Sequence, residues 1–236
     1  CPHYVGLVSI GDKMIVKSIV RKFGKLISEA ERHTTEAIKE HRIEVETTIT
    51  DYFLGEVERI FRQHGQIDHV IFKPWILRDR GPESTEHEFG ADFCGVLDIK
   101  LRDFKYTKGF LTQAKMNRRG VFIKPSFRGV TSVSVSTGNE SQRLRGQIDK
   151  MLSLSHESYV IVYSSDGFVV VPATSIKALS GSGSVYGKPI DRFFKEYLMC
   201  FIGDPLLKAG DPETLEELRR RTNSRAALML HVVERD

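Results

Sequence analysis

Apolar positions in this chain recur about every four residues near its start and about every two further on. From about Lys13 to Glu40, Ile15, Ile19, Phe23 and Ile27 are spaced by four, which predicts an N-terminal helix that packs by one face. Residues 4–10, YVGLVSI, read as a short strand before it. A second stripe, Ile49, Phe53, Val57 and Ile60, with Tyr52 and Phe61 at its margin, predicts a helix from about Arg42 to Gln63. Residues 67–77 then read as a strand, which Pro74 confines to an edge or an end because proline has no N–H to donate to a ladder.

Later segments follow the same two periods. Leu144, Ile148, Met151 and Leu152 mark a helix over about Glu140–Leu154. SYVIVY (158–163) and FVVVPA (168–173) read as two strands about a tight turn at Ser164–Gly167, whereas SGSGSVYG (180–187) reads as a loop or linker. Pro189 opens a helix whose apolar face would be Phe193, Phe194, Tyr197 and Phe201. Pro212 to Arg221 is a charge-rich helix, and Ala226 to Val233 a final apolar strand or helix. There is no internal repeat.

The chemistry concentrates between Glu86 and Lys115. Asp92 lies on one predicted strand, and Gln113 and Lys115 lie on the next, two apart and therefore on one face. Two antiparallel strands joined by the charged turn around Arg102, Asp103 and Lys105 would bring the three together. Lys115 follows Phe110, Leu111, Thr112 and Ala114, so its ammonium needs a nearby anion, and Asp92 is the natural partner. Carboxylate and amide oxygens are hard ligands for Mg²⁺, for which Mn²⁺ substitutes, and a lysine can orient the attacking water or stabilise charge on a phosphate. The grouping therefore suits phosphodiester hydrolysis.

Two further residues face inward by periodicity. Glu46 is three before Ile49 and seven before Phe53, on the stripe; the alternative is an exposed first-turn acid near a helix N-terminus. Gln147 is three after Leu144. Immediately beyond Lys115, the run MNRRGVFIKPSFRGV reads as a basic loop, with Arg118, Arg119, Lys124 and Arg128 available to phosphates and Phe122 and Phe127 interleaved.

GAD followed by a QAK strand resembles the PD-(D/E)XK nuclease superfamily, in the branch with Gln in place of the second acid, as in Mrr-type restriction enzymes and prokaryotic antiphage defence effector nucleases. The sharp motif is Asp92, Gln113 and Lys115; with flanking elements the likeness covers roughly residues 41–173. It implies an α/β fold with an αβββαβ core, a mixed central sheet flanked by helices, and helical additions at both ends. It also implies a Mg²⁺-dependent DNA endonuclease working as a restriction or defence effector. The implied metal ligands are Asp92, Glu86, Glu46 and Gln113, with Glu86, six before Asp92, replacing the acid missing at Gln113. Lys115 acts on the water and phosphate, and Gln147 lies near the site. The implied partners are DNA and a homodimer or larger defence assembly. Gln113 departs from the usual acid, and that favours the alternative of an inactive nuclease-fold module binding nucleic acid or a protein; an RNA-directed nuclease is a further alternative.

Length and composition set the frame. The 236 residues suffice for one domain with a sizeable core, divided here as residues 1–40, an accessory helix, 41–179, the core, and 180–236, a C-terminal helical extension. At 40% hydrophobic and 28% charged the chain is ordinary globular protein, and the net charge of +4 permits nucleic-acid binding without requiring it. Three widely spaced cysteines, Cys1, Cys94 and Cys200, make neither a disulfide framework nor a zinc pattern, which points to a reducing cytoplasm. No apolar run is long enough for a membrane span, and no HExxH, GxSxG or Cys–His signature accompanies the eight histidines. The first residue is Cys rather than Met, as in a piece of a longer protein.

Overall fold

The computed structural model describes residues 17–78, 91–117, 121–127 and 130–235. The predicted strand at residues 4–10 lies outside them. Helix α1 (Lys17–Lys39) buries Ile19, Phe23 and Ile27 of the expected stripe, whose Ile15 lies outside the described residues, and packs on α2 (Glu46–His64), which buries Ile49, Phe53, Val57 and Ile60. The strands are β1 (Gln66–Ile67), β2 (Val70–Arg78), β3 (Ala91–Lys100), β4 (Lys105–Met116), β5 (Val121–Phe127) and β6 (Val130–Val135). After α3 (Asn139–Leu154) come β7 (Ser158–Ser164), β8 (Gly167–Pro172), the short α4 (Ala173–Lys177) and β9 (Gly183–Pro189). The chain ends with α5 (Ile190–Leu198), α6 (Pro212–Arg221) and β10 (Ser224–Glu234).

All ten strands join one open mixed sheet in the order β1-β2-β10-β3-β4-β7-β8-β9-β6-β5. The pairs β10–β3 and β4–β7 are parallel and the others antiparallel. Strand alternation feeds two cores. Phe93 and Leu97 face the core built with α1, α2 and α5, whereas Cys94 and Val96 face the one built with α3, α4 and α6. Helix α3 makes the crossover between the parallel strands β4 and β7, as a parallel pair requires. Pro74 stands opposite Leu230 on a part of β2 paired by β10 alone among the described residues, the kind of one-sided position to which proline is confined.

Four expectations are corrected. The segment after Lys115, expected as a loop, contains β5 and β6, and the Gly/Ser-rich run at 180–187 enters β9 at Gly183. Strand β9 has weak hydrophobic alternation, with Val185 its buried residue, and its extended form comes from pairing with β6 and β8. The C-terminal segment, expected as a helical extension, also supplies β10, which lies inside the sheet between β2 and β3. Phe201 lies past the end of α5 and is 73% exposed, so the apolar face of that helix is Phe193, Phe194 and Tyr197. Among the described residues no helix is long and apolar enough to cross a membrane.

Candidate metal and phosphodiester site

The site lies at the end of the sheet where β3 and β10 begin and β4 and β7 finish. The β3–β4 ladder runs from Lys100↔Lys105 to Phe93↔Thr112, which leaves Asp92 beside Gln113 just where backbone pairing stops. The Asp92 side chain takes over from the ladder: its Oδ2 accepts the Ala114 N–H at 2.6 Å and a second hydrogen bond from the Gln113 Nε2. A backbone N–H at the end of a buried ladder needs an acceptor, and a carboxylate is a strong one.

Lys115 and Glu46 form the other half. Glu46 is the first residue of α2, and it is also turned onto the sheet: its Oε1 accepts the Met116 N–H at 2.9 Å, and its Oε2 lies 3.4 Å from the Lys115 Nζ. Glu46 is thus a first-turn acid that faces inward, as its place on the stripe predicts, and is half-buried rather than exposed. The carboxylate within ion-pair distance of Lys115 is Glu46, where Asp92 was expected; Asp92 acts on Lys115 only through its charge. One turn further along α2, the Thr50 hydroxyl bonds to the Glu46 carbonyl at 2.9 Å and to the buried Tyr163 hydroxyl of β7 at 3.0 Å.

Arg225, on β10, was not anticipated. The register Ser224↔Ala91 and Ala226↔Phe93 sets it alongside Asp92. Its Nη1 donates to both carboxylate oxygens of Asp51, at 2.9 and 3.0 Å, and its Nη2 to the Thr47 carbonyl at 3.1 Å. The Arg78 Nη2 reaches the Asp51 carbonyl at 3.0 Å. No local motif could have signalled Arg225, because it is brought to Asp92 only by the insertion of β10 between β2 and β3.

Electrostatically the site is an acid pair among cations. Burial raises the Asp92 carboxyl above its usual range; the Ala114 N–H, Lys115 and Arg225 oppose that, and Glu46 adds to it. Burial also raises the Tyr163 phenol, against the Thr50 hydrogen bond, so Tyr163 serves as a neutral hydrogen-bonding group. The donors suit a hard cation: carboxylate oxygens of Asp92 and Glu46 and the side-chain oxygen of Gln113, whose nitrogen is turned to Asp92. Among the described residues no three His, Cys, Asp or Glu side chains cluster as a ligand set, so a cation there needs the Gln113 oxygen, water or substrate as well.

The structure thus brings together Asp92, Gln113, Lys115 and Glu46. Glu86, Arg118, Arg119 and Arg128 lie outside the described residues, as does the Lys124 side chain; the Lys124 backbone pairs with Ser132. Gln147 is half-buried on α3, and its Oε1 is enclosed without a hydrogen-bond partner among the described residues. Comparison of the chain with protein-family models, with curated proteins and with solved structures finds no match in any of the three.

Proposed function

We propose that this chain is a metal-dependent endonuclease that hydrolyses DNA phosphodiester bonds, built on a restriction-endonuclease-like core of the PD-(D/E)XK type. The observation that carries the reading is the meeting of Asp92, Gln113, Lys115 and Glu46, from three separate elements, at one sheet end. The order α2-β2-β3-β4-α3-β7 supports it, since it follows αβββαβ once β5 and β6 are taken as an insertion; β10 between β2 and β3 is a departure.

In this reading Asp92, Glu46 and Gln113 supply oxygen ligands to Mg²⁺ or Mn²⁺, with Glu86 as the further acid. A cation held there would lower the pKa of a bound water and offset charge on the phosphate. Lys115 holds its ammonium beside Glu46, where it can orient that water or stabilise the negative charge that grows on the phosphate oxygens. Arg118, Arg119, Lys124 and Arg128 bind the DNA backbone. A defence or restriction role in the cytoplasm, alone as a homodimer or within a larger assembly, follows from the same resemblance.

A second reading is a nuclease-fold module that binds without cutting. It is favoured by the two hydrogen bonds that already occupy Asp92 Oδ2, because they give that carboxylate a structural task. Plasmid cleavage in Mg²⁺ or Mn²⁺ by the intact chain, Asp92→Ala and Lys115→Ala separates the two. Nicking that both substitutions abolish supports the enzyme; equal DNA binding by all three proteins with no nicking supports the module.

A further inference from the structure

We propose that Arg225 is a positioning residue for this site: through Asp51 and Thr47 it fixes the first turn of α2, and with it Glu46, against Asp92. The inference rests on the nuclease reading and assigns a regulator of that site's geometry.

Helix α2 starts without a local anchor. Its N-cap is Val45, which has no side chain to accept an N–H, so no capping side chain holds the turn that carries Glu46. The anchors are tertiary. One is the Thr50–Tyr163 hydrogen bond to β7, and another is the Met116 N–H held by Glu46 itself. The third is Arg225, whose guanidinium takes both oxygens of Asp51 and the Thr47 carbonyl together, with 13% of its side chain exposed. Thr47 directly follows Glu46, and Asp51 lies little more than one turn beyond it.

Arg225 is suited to this task by its fork. Planar N–H groups can serve a carboxylate and a carbonyl at once, whereas a lysine offers one compact charge. It is suited also by its strand, since β10 runs parallel to β3 and carries Arg225 in register beside Asp92. Arg225 thereby ties the start of α2, which carries Glu46, to the strand beside Asp92, alongside the Thr50–Tyr163 bond and the Arg78 contact with Asp51. Residues that orient metal ligands characteristically change metal affinity by about ten- to a hundred-fold when replaced.

The test uses the full chain, with Mn²⁺ as the probe, titrated by electron paramagnetic resonance. Proteins compared are the unaltered chain, Arg225→Gln, Arg225→Lys, Asp51→Asn, the double variant Arg225→Gln/Asp51→Asn, and Lys22→Gln, which breaks a remote surface ion pair. Arg225→Gln and Asp51→Asn are each expected to weaken Mn²⁺ binding about ten-fold. The double variant should be no weaker than the worse single one, Arg225→Lys should recover part of the loss, and Lys22→Gln should bind as the unaltered chain does. Affinities within about two-fold of the unaltered chain in both Arg225→Gln and Asp51→Asn overturn the inference while leaving the nuclease reading intact. If Arg225→Gln fails to fold, Asp51→Asn decides alone. An unaltered chain that binds no Mn²⁺ and cuts no DNA overturns the nuclease reading and this inference with it.

Discussion

Lys115 and Glu46 meet at 3.4 Å across the gap between the end of β4 and the start of α2, with 17% and 33% of their side chains exposed. An ion pair of that exposure adds at most about 1 kcal/mol to stability, because water and side-chain entropy offset most of the Coulomb gain. If the pair exists for chemistry, its loss should cost activity far out of proportion to stability. Lys115→Ala is expected to lower single-turnover DNA cleavage by about a hundred-fold or more, while unfolding in urea shifts by no more than about 1 kcal/mol. A cleavage rate within a few-fold of the unaltered chain would remove Lys115 from the reaction.

Asp92 does two things that two substitutions can separate. Asp92→Ala leaves the Ala114 N–H and the Gln113 amide without their acceptor, so it should lose about 1–3 kcal/mol of stability. Asp92→Asn keeps an oxygen for the Ala114 N–H but no charge for a cation. Near-normal unfolding of Asp92→Asn together with lost Mg²⁺-dependent cleavage is expected. Retained cleavage in Asp92→Asn would confine the residue to its structural role.

Much of this site was legible because its signals are local. The stripe of α2 fixed the face on which Glu46 lies, and two-residue alternation put Gln113 and Lys115 on one side of β4. Which acid would stand next to Lys115 was not legible, since that depends on where α2 docks on the sheet end. Arg225 was invisible for a stronger reason: sequence pattern places β10 as an extended or helical apolar segment and says nothing of its two neighbours. Strands β5, β6 and β9 escaped as well. The Gly, Ser and Pro of β9 (GSVYGKP) resemble loop composition, and pairing with β6, Ser134 to Ser184 hydroxyl to hydroxyl at 2.9 Å, holds it extended. Strands β5 (VFIKPSF) and β6 (VTSVSV) instead carry apolar and β-branched residues that the surrounding basic run obscured.

A pH dependence follows from Glu31 on α1. Its carboxylate accepts the Phe168 N–H at 2.6 Å, and burial, helped by the charge of Asp191 and opposed by that hydrogen bond, raises its pKa from 4.5 to about 7. A folded-state pKa above the unfolded value means that the folded chain binds the proton more tightly. The corresponding stability is complete below about pH 4.5 and is lost as pH rises through about 7. Glu31→Gln is expected to flatten this dependence. Urea titrations at pH 5 and pH 8 should show a smaller difference for the variant than for the unaltered chain, and an equal difference would dissociate Glu31 from the effect.

Lys108 has the opposite sign. It is 1% exposed on β4, and its Nζ donates to the carbonyls of Tyr197 and Ile202 at 2.5 Å each, closing the chain that leaves α5. Burial lowers its pKa from 10.5 to about 8, with nearby Cys200 and Glu157 pulling the other way. Between those two values the unfolded chain holds the proton and the folded chain does not, so stability should rise as pH increases from about 8 towards 10.5 and be lost as pH falls back through 8. A neutral amine still has N–H groups for two carbonyls, so the α5 junction survives the titration. Lys108→Met removes the charge and both donors together. It should abolish the alkaline gain and lose about 1–3 kcal/mol for each carbonyl left unpaired. Urea denaturation of both proteins at pH 7.5 and pH 10 measures the two effects separately. An alkaline gain that persists in Lys108→Met would assign the titration to a different group.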